Sequence, residues 1–142
     1  MGRNLCWARV WELPSGREFK SVELGSSVVK MILFPNGKAV VTGSSKGLLT
    51  RWDLENGSTR IFGSPLKDVR GLTVSPDGRW LLCAGPEGAF LYDLNTTTLR
   101  MKFSDDMGFF GAAWSPKGDR IVLGSGDWSL RFWDVSPLSK VK

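Results

Sequence analysis

The chain has 142 residues, 42% of them hydrophobic and including seven Trp and eight Phe, which is enough apolar material for one folded domain and too much for a disordered tail. Its formal charge of +5 comes from 19 basic residues scattered one or two to a segment, without the basic stripe of a nucleic-acid groove, so nucleic acid is not an expected partner. The absence of histidine removes the Ser-His-Asp and Cys-His arrangements together with the commonest zinc ligand.

The start, Met1-Gly2-Arg3-Asn4-Leu5-Cys6, lacks the apolar segment of a secretory signal, and no apolar run approaches the roughly 20 residues that span a bilayer. A soluble cytoplasmic protein is the expectation. Gly2 raises N-myristoylation, but Cys6 stands where that motif wants Ser or Thr. Cys6 and Cys83 sit in separate strand-like segments without metal-type spacing and read as buried free thiols.

Apolar and aromatic segments then alternate with Gly, Pro, Asn and Asp clusters, and none keeps helical spacing for three turns, so the chain is expected to be all-β with almost no helix. Segments 7–13 and 17–22 form the first pair of strands. A four-strand unit follows at 27–34, 38–44, 48–54 and 58–63, a second runs from 68 to 103, and a third begins near 109. Pro35-Asn36-Gly37, Pro76-Asp77-Gly78 and Pro116-Lys117-Gly118 each combine a preset φ with a residue tolerant of positive φ, which reverses the chain between strands. Asn56-Gly57 is a hairpin signal of the same kind. The formal glycosylation sequons Asn56-Gly57-Ser58 and Asn95-Thr96-Thr97 read as hairpin turns. Lys38-Ala39-Val40-Val41-Thr42 is almost wholly apolar, as expected of a strand covered on both faces. In the strand before it, Met31 and Leu33 alternate with period 2, as do Leu72 and Val74, and Ala112 and Trp114, in the later units.

These units are copies of one another. Val40-Val41-Thr42-Gly43-Ser44 leading to Arg51-Trp52-Asp53-Leu54 returns as Leu81-Leu82-Cys83-Ala84-Gly85 leading to Leu91-Tyr92-Asp93-Leu94. It returns again as Ile121-Val122-Leu123-Gly124-Ser125 leading to Phe132-Trp133-Asp134-Val135. Trp11, Trp52, Tyr92 and Trp133 are 41, 40 and 41 residues apart, a period typical of a propeller or solenoid. The aromatic-Asp pair at a strand end and the Ser-Pro-Asp-Gly turn before the next strand resemble the WD-repeat β-propellers, and the likeness covers nearly the whole chain.

The resemblance implies blades of four antiparallel strands, a to d from the propeller axis outward. Residues 1–25 would hold only the outer strands c and d of an incomplete blade, and 26–65, 66–105 and 106–142 one blade each. The result is a partial propeller of about three and a half blades, where closed propellers have about 4 to 8. The chain could be a fragment of a larger propeller, two copies could close one ring, or another chain could supply the rest. One form of the two-copy ring lets segment 17–24 complete the third blade of its partner, giving six blades.

The resemblance also implies a buried network of a His before strand a, a Ser or Thr on b, an Asp in the b–c turn and a Trp on c. Without histidine it cannot form in full: the third repeat keeps Ser125, Asp127 and Trp133, the first only Ser44 and Trp52, and rigidity is expected to come from packing. No cofactor or metal motif is present, and the glycines of Gly43-Ser44-Ser45-Lys46-Gly47 lack the ending of a phosphate loop. Asp105-Asp106 reads as a solvated loop and not a catalytic pair. The expected function is therefore a non-enzymatic scaffold that binds a protein or peptide on the top face, around the channel. By the resemblance, Val29, Arg70 and Phe110 early on strand a, and Lys46, Glu87, Asp127 and Trp128 in the b–c turns, line that face. Phe109 aligns with Val28 and Val69 and is assigned to the core. Trp128, where the family commonly has Gly, is expected either to protrude as an interface anchor or to fold onto the neighbouring blade. The mixed charge of the rim suits a protein partner better than nucleic acid. The alternative role is assembly, with open blade edges pairing with a second copy or another chain.

Overall fold

The computed structural model describes residues 6–24, 27–63 and 66–140, and Gly2 lies outside them. The strands are β1 (Cys6–Trp11), β2 (Glu18–Leu24), β3 (Val28–Leu33), β4 (Ala39–Ser44), β5 (Leu48–Asp53), β6 (Thr59–Gly63), β7 (Gly71–Val74), β8 (Trp80–Gly85), β9 (Gly88–Asp93), β10 (Thr98–Phe103), β11 (Phe109–Trp114), β12 (Arg120–Ser125) and β13 (Leu130–Asp134). A 3₁₀ turn, Ser136–Lys140, follows. Sequential strands pair antiparallel into four sheets: the hairpin β1–β2, a first blade β3–β6, a second β7–β10 and a third of three strands, β11–β13. The all-β architecture of a partial propeller is as the repeat implied. No helix among the described residues is long and apolar enough to cross a membrane.

The turn glycines explain the local reversals. Gly37, Gly78 and Gly118 hold φ of 71°, 75° and 73°, the left-handed region that only glycine occupies without cost. In each a–b turn the residue before the Pro closes the loop, as where Gly78 N donates to the Ser75 carbonyl at 2.9 Å.

Each blade has one face toward the blade before it and one toward the blade after it. Val41, Leu49 and Phe62 on the forward face of the first blade share a core with Leu81, Cys83, Phe90 and Tyr92 of the second. The rings of Phe62 and Tyr92 stand 5.6 Å apart. The forward face of the second blade repeats the scheme: Trp80, Leu82, Ala89, Leu91 and Phe103 meet Phe109, Ile121 and Leu123 of the third, with Trp133 packed against them. Gly43 and Gly71 sit where these faces come closest, since a Cβ on Gly43 would lie 2.9 Å from Val69 Cγ1 and one on Gly71 3.0 Å from the Ala112 amide nitrogen.

Burial on both faces holds for β4 and β8 but not for β12, where Val122 and Gly124 are only half-buried and Arg120 is exposed. The reason is that among the described residues no further blade lies against the forward face of the third. Met31 and Leu33 are 55% and 53% exposed for the matching reason at the other end, where the hairpin brings no inner strands to the backward face of β3. Cys83 is buried as expected, whereas Cys6 is only half-buried because β1 belongs to that two-stranded sheet.

Candidate functional site

The b–c turns of the first and third blades share one hydrogen-bonding plan. In the first blade Ser44 Oγ accepts from the amides of Lys46 at 3.2 Å and Leu48 at 3.0 Å, while Gly47 N donates to the Ser44 carbonyl at 3.0 Å. In the third, Ser125 Oγ accepts from Asp127 N at 3.3 Å and Trp128 N donates to the Ser125 carbonyl at 3.2 Å. Trp128 thus holds the seat of Gly47, at φ 69° against 75°. A non-glycine residue there costs about 1–2 kcal/mol. The residue is 99% exposed and packs on neither of the other two described blades.

Strand a contributes through a bulge that nothing in the residue pattern signals. Pairing of β3 with β4 slips between Val28 and Lys30, and pairing of β11 with β12 slips between Phe109 and Gly111. The extra residue is left out of the ladder and turned outward. Hence Phe109 is fully buried while Phe110 is 56% exposed and Val29 42% exposed. Arg70 lies with its guanidinium carbon 4.4 Å from the centre of the Phe110 ring and its Nε 3.2 Å from Asp68 Oδ2. It is a partly buried, paired cation and not a freely solvated rim charge.

Phe110 and Trp128, with Ser125 and Gly126, line an open, mostly apolar recess of about 380 Å³. On the other side of the same turn a polar recess of about 370 Å³ is lined by Ser104, Asp105, Asp106, Met107, Asp127 and Arg131. The structure therefore gathers Arg70, Phe110, Asp127 and Trp128 around one turn. Glu87 lies apart in the second blade, where its carboxylate accepts from Lys67 N at 3.4 Å. Val29 and Lys46 belong to the first blade and line neither recess.

Asp105 is not the solvated residue expected of its loop. Its side chain is 5% exposed, its Oδ2 lies 2.8 Å from Arg131 Nε, and its Oδ1 accepts from Ser125 Oγ at 3.2 Å and from Met107 N at 2.9 Å. Arg131 also reaches Asp127 Oδ2 at 2.8 Å, so one guanidinium ties the loop before β11 to the b–c turn. Asp105 precedes strand a, where the resemblance looks for His, and it bonds Ser125 in that role. Asp106 beside it is exposed. Hydrogen bonds from the side chain and then the backbone of Ser129 lead the causes that lower the Asp127 pKa to about 2, followed by Ser125 and, against desolvation, Arg131. In the first blade Trp52 Nε1 donates to Thr42 Oγ1 at 3.0 Å, so the partner of that Trp is Thr42 and not Ser44. Among the described residues no cluster of His, Cys, Asp and Glu has the makings of a metal site.

Two segments, 57–89 and 99–134, match the family model described as WD domain, G-beta repeat. The chain is 28% identical over 120 residues to the small ribosomal subunit protein RACK1 of Schizosaccharomyces pombe, which covers 77% of this chain and 38% of that protein. It is 28% identical over 141 residues to cross-pathway control WD-repeat protein 2 of Flammulina velutipes, covering 90% and 44%. With the chromatin assembly factor 1 subunit FAS2 homolog of Oryza sativa subsp. japonica it is 27% identical over 143 residues, covering 92% and 28%. The chain spans about two fifths of the length of the first such relatives.

Proposed function

We propose that this chain, a member of the WD-repeat family, is a non-enzymatic protein-interaction scaffold that takes a protein or peptide partner on its top face. The observation that carries the reading is Trp128, 99% exposed beside the recess it shares with Phe110, in a turn seat that disfavours any side chain. Large aromatics in such positions are the usual anchors of interfaces. Arg70, stacked on Phe110, and Asp127, fixed by Arg131 and Ser129, hold the two walls in place. Val29, Lys46 and Glu87 extend the contact as a peripheral rim of mixed sign, which suits a protein or peptide over nucleic acid. A cytoplasmic setting belongs to the same proposal, supported by relatives whose names place them in the small ribosomal subunit.

Panning a displayed peptide library against the chain tests this. Peptides that bind the wild type are expected to lose about thirtyfold in affinity or more on Trp128→Gly, the loss of one strong anchor. Glycine suits the left-handed seat, so the fold stays intact. Selected peptides that bind both forms equally would overturn the reading.

A second reading is assembly, favoured by one observation: Leu130 and Phe132 on the last strand are 66% and 67% exposed. Exposed large apolar groups on a strand whose outer edge has no partner among the described residues are a template for another chain.

A further inference from the structure

We propose that Arg51 and Arg60, on the outer half of the first blade where it meets the second, bind a phosphate monoester dianion between them. The site lies toward the c–d turn, at the end of the strands opposite to the b–c turns, and is separate from the one around Trp128.

The repeat does not ask for a cation here. Arg51 precedes Trp52 as Leu91 precedes Tyr92 and Phe132 precedes Trp133, so the first blade sets a guanidinium where the other two set an apolar side chain. Arg51 pairs opposite Val41, on the forward face that meets the second blade, and is half-buried there. A charge taken partly out of water needs compensation. What stands across the ladder from it is a second cation: Arg51 and Arg60 are direct partners in β5 and β6, where the second blade pairs Leu91 with Met101. Direct cross-strand partners have Cβ atoms about 4.5–5.5 Å apart, and like charges so placed destabilise a sheet. An anion held between them turns that repulsion into attraction.

The surroundings supply donors. Arg51 Nη1 donates to the Leu94 carbonyl of the second blade at 3.2 Å, and its guanidinium carbon lies 5.0 Å from the centre of the Phe34 ring. These contacts fix the group and leave its other N–H donors without a partner among the described residues. Among the same residues Arg60 makes no hydrogen bond and no ion pair, and the Ser58 hydroxyl makes no hydrogen bond. Asp53 is the carboxylate of the site, and it is committed to the turn: its Oδ1 accepts from the amides of Glu55 at 2.9 Å and Asn56 at 3.0 Å. The Asn56 amide leads the causes that hold the Asp53 pKa below its ordinary value, and the charges of Arg51 and Lys20 contribute to it. Lys20, whose Nζ donates to the Leu54 carbonyl at 2.9 Å, thus adds a third positive charge nearby, while Glu55 is paired with Lys38 at 3.0 Å.

Arg51, Asp53, Ser58, Thr59 and Arg60 line an open recess of about 170 Å³. Small-molecule pockets run to about 300–1,000 Å³, so this one admits a single charged group and not the body of a ligand. Guanidinium forks match the oxygens of a phosphate bidentately. Two of them favour a group that carries close to two negative charges at neutral pH, which a phosphate monoester does and a carboxylate does not.

Amide NMR shifts during titration with inorganic phosphate, against chloride at matched ionic strength, test this. Saturable shifts are expected at Ser58, Thr59 and Arg60. Arg60→Gln is expected to weaken phosphate binding about tenfold or more, the loss of hydrogen bonds to a charged group. In chloride the same variant is expected to melt no earlier than the wild type, because it relieves the like-charge pair. Acetate is expected to bind about tenfold more weakly than phosphate or worse, since it brings half the charge. A short phosphoserine peptide separates the two sources of the group: tighter binding than inorganic phosphate assigns a phosphorylated protein segment, and equal or weaker binding assigns the free ion. Shifts that chloride reproduces or that never saturate, acetate binding as tightly as phosphate, or an Arg60→Gln variant that keeps wild-type affinity or melts earlier in chloride overturns the proposal. Trp128→Gly is expected to leave phosphate binding unchanged, so the top-face reading and this site stand or fall separately.

Discussion

The second and third blades are copies of one repeat, yet they end in opposite environments. Trp80–Gly85 and Gly88–Asp93 are buried residue by residue, whereas the equivalent Arg120–Ser125 and Leu130–Asp134 alternate or lie open. The difference teaches that a blade has no complete core of its own. A four-stranded sheet has two apolar faces, and only neighbours on both sides can dry them. Local pattern decides that a strand forms and which way its side chains point. The position of the blade in the array decides what those side chains contribute.

The sharpest way to break the comparison is a pair of substitutions at one repeat position. Leu91→Ala in the second blade is expected to cost about 2–5 kcal/mol in urea unfolding, the toll of a fully buried leucine. Phe132→Ala at the matching place, measured at a concentration where the chain is monomeric, is expected to stay within about 0.5 kcal/mol. Equal losses would mean that the third blade is buried by something other than its neighbours in this chain. The glycines give the next contrast: Gly71→Ala pushes a methyl against the backbone of Gly111 and Ala112 and is expected to cost about 1–3 kcal/mol, while Gly111→Ala enters open space on the forward face. Thermal melts of the two variants decide it.

Adjacent acids provide a smaller contrast inside the third blade. Asp105→Ala strips Arg131 and Ser125 of a buried partner and is expected to destabilise by about 1–3 kcal/mol, and Asp106→Ala is expected to leave the unfolding midpoint unchanged. Smallest is the acid dependence of the exposed turn. The Asp127 pKa is lowered in the folded chain from 3.8 to about 2, so its contribution is present above the unfolded value and is lost as pH falls from 3.8 through about 2. Asp127→Asn is expected to flatten the melting temperature across that window, and an unchanged acid limb would remove Asp127 as its source.

Much of the site is legible in the amino-acid sequence. Trp128 in a glycine seat is visible from the alignment of Ser125-Gly126-Asp127-Trp128 with Ser44-Ser45-Lys46-Gly47, and the split between Phe109 and Phe110 follows from the repeat. The bulge that turns Phe110 and Val29 outward is not legible there, because a one-residue slip in a ladder is set by the partner strand. Nor is the role of Asp105. Its neighbours in sequence are polar loop residues, and the charge that holds it, Arg131, lies 26 positions further on. One signal does point to it: Asp105 precedes strand a where the histidine of the repeat is missing, and an acceptor there can serve the same serine.

The amino-acid sequence by itself determined the repeat, the strands, their turns and their alternation, because these depend on residues a few positions apart and on the φ preferences of Pro and Gly. Only the tertiary structure decided which of the repeated positions are dry. Leu49 and Leu130 carry the same side chain at the same place in the repeat, and one is sealed while the other faces solvent, because burial is conferred by the blade that comes next and not by the strand itself.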